Sequence, residues 1–161
     1  MITSQEIAEI LKAHSKELGT SQTIVEADGT IRSCLKNRIH PTRPHTLRVC
    51  PPDEKDTLRI RVSIETERKR LDAREGAMLS ISVPFKDGCL KFDSQDGITY
   101  EFSGPLMDLS DGLSAESIVE SLRTVVEDIR QIEGLILHAQ GLVRAASSIA
   151  SIDDGNEWSN P

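Results

Sequence analysis

A chain of 161 residues, 37% of them hydrophobic, is long enough to bury a core of its own, and with aromatics at only 3% that core must come from Ile, Leu and Val. The formal net charge of −7 argues against nonspecific nucleic-acid binding, and no apolar run approaches a membrane span. Three cysteines, Cys34, Cys50 and Cys89, make no paired framework and point to a reducing compartment, so the expected location is cytoplasmic.

The chain opens on Thr3, Ser4, Gln5 and Glu6, a T-x-x-E capping box with Ile2 and Ile7 placed to staple it. An amphipathic helix, not a signal peptide, follows: Ile7, Ile10, Leu11 and Leu18 share a face with His14, and Gly19 supplies the stop. Residues 22–27 and 30–36 flank Asp28-Gly29, which suits a two-residue hairpin setting Ile24 beside Ser33 and Val25 beside Arg32. The apolar alternation there is uneven, as in a hairpin with an exposed side. Pro41, Pro44, Pro51 and Pro52 bracket a run from Thr46 to Cys50 that reads as loop or short strand.

From Thr57 to Glu65 the alternation is clean, with Leu58, Ile60, Val62 and Ile64 on one face and Arg59, Arg61 and Ser63 on the other. Residues 66–75 fit a short surface helix or a charged crossover. Leu79, Ile81, Val83 and Phe85 then alternate up to a turn at Asp87-Gly88. A three-residue loop at Gln95-Asp96-Gly97 would set Phe92 opposite Tyr100 and Leu90 opposite Phe102. After an acidic loop, Ser114 caps a long helix with Leu113 and Ile118 as its staple. Ile118, Leu122, Val125, Ile129, Ile132 and Ile136 form one apolar stripe ending near Gln140. Residues 1–148 read as a single domain and 149–161, with Trp158, as a disordered tail.

Motifs for chemistry are lacking. Cys34, His40, His45 and Cys50 are spaced too widely to nucleate a zinc site, so no metal is expected. Gly112-Leu113-Ser114-Ala115 is no nucleophile elbow, and Asp108 and Asp111 lack the ligand order of a calcium loop. No phosphate-binding glycine motif occurs. The chain is expected to be neither an enzyme nor a cofactor binder. The elements add up to an α+β fold, an antiparallel sheet packed against N- and C-terminal helices.

That order, with the meander from Gly76 leading to Gly112-Leu113-Ser114-Ala115-Glu116 at the head of the last helix, resembles the type III secretion chaperones and the YbjN-type sensory transduction regulators. The resemblance implies a small acidic cytoplasmic homodimer that binds another protein or peptide without chemistry. The hairpin residues Ile24, Val25, Ile31 and Leu35 are the expected partner-facing surface, and Val119, Val126, Leu135 and Leu137 the expected dimer contacts. The alternative is a regulatory adaptor. Residues 32–74 hold 12 of the 19 Lys and Arg against 6 acids, a local +6 that leaves −13 for the remainder. Arg59 and Arg61 project together from one strand face, suited to an acidic partner. With no aromatic platform beside them, nucleic acid is the less expected one. A third class, a small-molecule pocket between sheet and helix, is the weakest.

Overall fold

Thr3 sets the start of the first helix, α1 (Ser4–Ala13), by the reciprocal contacts of a capping box. Its Oγ1 accepts from the Glu6 amide at 3.2 Å while Glu6 Oε2 accepts from the Thr3 amide at 2.6 Å. The helix buries Ile7, Ala8 and Leu11 and breaks at His14. A single turn, α2 (Ser15–Leu18), buries Leu18 and closes on Gly19, whose φ of 76° is left-handed. The one helix expected up to Gly19 is therefore two pieces. The computed structural model describes residues 2–53, 57–66, 85, 88–93, 97–104 and 114–157, with backbone alone at 92, 93, 139, 140 and 142–157.

Six strands among the described residues form one antiparallel sheet: β1 (Thr20–Val25), β2 (Ile31–Leu35), β3 (His45–Cys50), β4 (Leu58–Ile64), β5 (Gly88–Asp93) and β6 (Gly97–Gly104), in the order β1-β2-β3-β4-β6-β5. The stretch left open as loop or strand is β3, and β4 alternates as expected, with Leu58, Ile60, Val62 and Ile64 buried.

Two registers differ from expectation. At Asp28-Gly29 the loop has three residues. Val25 pairs with Ile31 and Ile24 with Arg32, Gly29 takes φ 87°, and the Asp28 carboxylate accepts from the Thr30 amide at 2.9 Å. A one-residue slip would turn every later side chain of β1 to the other face. A bulge offsets it: Gln22, at φ 52°, and Thr23 together oppose Ser33, so Ser21 pairs with Cys34 and Thr20 with Leu35, not the partners a two-residue loop would give them but on the same faces. At the other end Gly97 does take a positive φ, 78°, but as the partner of Asp93. Leu90 therefore faces Tyr100, and Phe92 faces Ile98. The two-residue shift leaves each strand's faces unchanged. The strand expected at 79–85, its turn and the 66–75 segment lie outside the described residues, except at three points. Thr66 is buried, Phe85 meets the Tyr100 ring edge-on at 5.8 Å, and Gly88 sits inside β5.

The long helix, α3 (Ala115–Glu157), starts where Ser114 Oγ accepts from the Ser117 amide at 3.1 Å. All six stripe residues are at most 1% exposed. Leu113, the expected staple, lies outside the described residues. The helix does not stop near Gln140 but continues through 149–157 of the expected tail. Ala145, Ala146 and Ala150 favour it, and no proline intervenes before Pro161. The stripe, the apolar face of α1 and the inward residues of β2, β3, β4 and β6 make one core. The result is an α+β fold with a six-stranded antiparallel sheet packed against N- and C-terminal helices. No helix of the described residues is long and apolar enough to cross a membrane.

Candidate functional site

Glu133, one position beyond Ile132 on α3, is 2% exposed and organises the most polar part of the interior. Its Oε2 accepts from His45 Nε2 at 3.0 Å and from the Arg38 amide at 2.6 Å; its Oε1 accepts from Arg130 Nη1 at 2.6 Å. His45 Nδ1 accepts from the Glu65 amide at 3.0 Å, so Nε2 carries the hydrogen given to Glu133. Arg130 also donates to the Lys36 carbonyl. Asn37, 1% exposed, donates to the carbonyls of Arg43 and Glu65 and accepts from the amides of Ile39 and His40. Burial by itself would raise the Glu133 pKa, but the hydrogen bonds from His45, Arg130 and the Arg38 amide outweigh it and hold the carboxyl below its ordinary range. Both carboxylate oxygens are occupied by donors of the protein itself. The cluster clamps the 36–44 loop and the end of β4 to α3.

A groove of about 600 Å³ lies between α1 and the head of α3, floored by Ile2, Ile10, Ala13, Ala115 and Val119. On its rim Glu6 belongs to the capping box, Glu116 to the first turn of α3, and Arg123 donates to Glu17 at 2.5 Å, while Glu9 adds a further carboxylate.

The other face of the sheet carries no helix among the described residues. There the register sets Arg32 directly opposite Arg48, and Arg48 directly opposite Arg61, on three adjacent strands. Ile24 continues the row beyond Arg32, and Glu101 and Cys89 continue it beyond Arg61. Arg61 meets Glu101 at 2.9 Å, Arg32 meets Glu26 at 3.4 Å and Arg59 meets Asp53 at 3.6 Å. Among the described residues no acid pairs with Arg48, the middle of the row. Lys91 donates to Glu101 at 2.7 Å, and with Arg61 it keeps that carboxyl below its ordinary range. Beside the row, Cys50, Thr57, Arg59, Arg61, Glu101 and Ser103 edge a hollow of about 450 Å³.

Of the residues singled out from sequence, Arg59 and Arg61 stand together on this open face, 66% and 58% exposed. Ile24 and Val25 are exposed at 45% and 38%, whereas Ile31 and Leu35 are wholly buried in the core and unavailable to a partner. Val119, Val126 and Leu137 share one flank of α3, and Leu135 lies on the opposite flank, so the four make no common surface. Leu137 alone of them is a large exposed side chain; Val119 is buried, and Val126 and Leu135 pack against the core. Cys34 and Cys50 point to the open face and His45 to the core, so the four-residue C/H grouping does not converge. Sequence reasoning missed Arg32 and Arg48 as members of a row, and Glu133 altogether. Arg48 occupies the outward phase of β3 and was findable once that strand was assigned. What the fold and this face define is an α+β protein whose sheet bears a cationic row on the face that no described helix covers. No protein-family model, curated protein or solved structure matches the chain.

Proposed function

We propose that the protein is a non-catalytic binding module that holds an acidic segment of another polypeptide on the open face of its sheet. The observation carrying this is the row Arg32–Arg48–Arg61. Like charges directly opposite on neighbouring strands destabilise a sheet, and although Arg32 and Arg61 each have an acid beside them, Arg48 between them has none among the described residues. An acidic ligand converts that repulsion into charge-assisted hydrogen bonds, for which arginine is the best-suited side chain. Ile24 adds an apolar contact at the end of the row. This reading joins protein binding to the basic 32–74 segment. The likeness to secretion chaperones stays one of element order.

The test is titration of the full chain with a fluorescent glutamate-rich peptide across a range of salt. Binding that weakens steadily from about 50 to 500 mM salt and is lost in Arg48→Thr is the expected result. Absence of binding at the lowest salt contradicts the proposal.

A further inference from the structure

Resting on that reading, we infer that the bound segment is an acidic α-helix lying across the strands, its carboxylates on one stripe meeting Arg32, Arg48 and Arg61 in turn. The direction follows from the register. A ligand running along a strand meets two arginines at most, Arg59 and Arg61 on β4, and one each on β2 and β3. Only a ligand crossing β2, β3 and β4 meets three in line.

The spacing selects the conformation. Neighbouring strands lie about 4.8 Å apart, so the row spans roughly 10 Å from its first strand to its third. A helix presents residues i, i+4 and i+7 on one stripe with a total rise of about 10.5 Å. An extended chain presents same-side residues every ~6.6 Å, and its third carboxylate overshoots Arg61 by about 3 Å. The ends of the row differ in chemistry and set what flanks the acidic stripe. An apolar residue suits the end over Ile24, and a basic residue the other end, where the Glu101 carboxylate that meets Arg61 and Lys91 would repel a further acid. A phosphodiester chain has neither an apolar group for the first position nor a cation for the last, and no aromatic side chain stands in the row for its bases.

Two alanine-based helical peptides of identical composition separate the possibilities. One carries Leu, three Glu and Lys on a single stripe in that order; the other has the same residues spread around the helix. Anisotropy titrations use the full chain at fixed moderate salt, with single-stranded oligodeoxynucleotide as a third probe. The striped peptide binding at least about tenfold more tightly, with the preference lost in Arg48→Thr, is the expected result. Equal binding of both peptides overturns the helical register and leaves acidic-segment binding standing. Binding of neither peptide, or tighter binding of the oligonucleotide than of both, overturns the two together.

Discussion

Glu133 is a buried carboxylate on which three donors from separate parts of the chain converge. Replacing it by alanine leaves the buried His45 Nε2 and the Arg38 amide without an acceptor, and Arg130 with the Lys36 carbonyl alone. The expected loss is about 3–5 kcal/mol in urea denaturation at neutral pH. The same group sets an acid limit. Because its carboxyl is held below the unfolded value of about 4.3, the unfolded chain takes up the proton first. The Glu133 contribution is complete above that unfolded value and drains away as pH falls through the folded one. Unfolding followed from pH 6 to pH 3 should show a steeper acid decline in the wild type than in Glu133→Gln. Gly88 makes a second single-residue prediction. A Cβ there would stand 2.3 Å from the Tyr100 hydroxyl oxygen and 2.5 Å from its ring, and Tyr100 is itself fully buried and donates to Asp128. Gly88→Ala should cost roughly 1–3 kcal/mol by overpacking, read from the shift of the urea midpoint.

At the scale of elements, α3 and the sheet bury each other through a narrow stripe. Ile129→Ala, at a site with no exposure, should lose about 2–5 kcal/mol, while Leu137→Ala, 48% exposed on the flank, should stay within about 0.5 kcal/mol. Equal effects in thermal melts would contradict the packing. The stripe was legible in the sequence because a 3.6-residue period repeats over six aliphatic positions, and β4 because strict alternation repeats over four. The registers were not. Asp28-Gly29 and Gly97 mark where the chain turns but not how many residues the loop takes or where the glycine falls relative to it, and the bulge at Gln22 and Thr23 has no composition cue. Glu133 was hidden for a related reason. A glutamate beside an apolar stripe reads as solvated, and only the packing of the proline-rich loop over it makes it buried.

For the whole molecule, the sheet is asymmetric. Among the described residues, one face is sealed by α1 and α3 over an aliphatic core, and the other displays arginines aligned across strands that sequence reasoning saw only as a locally basic segment. Composition gave the excess of charge between residues 32 and 74; antiparallel pairing, which brings distant positions side by side, gave it a direction. The row is read as a surface kept for a ligand at the expense of stability. The most direct check is Arg48→Thr, measured in parallel for its urea midpoint and for its affinity toward the glutamate-rich peptide. The account predicts a protein as stable as the wild type or more stable by up to about 1 kcal/mol, with binding weakened by about tenfold or more. A less stable variant that binds the peptide as well as the wild type would show that Arg48 serves the fold and not a ligand.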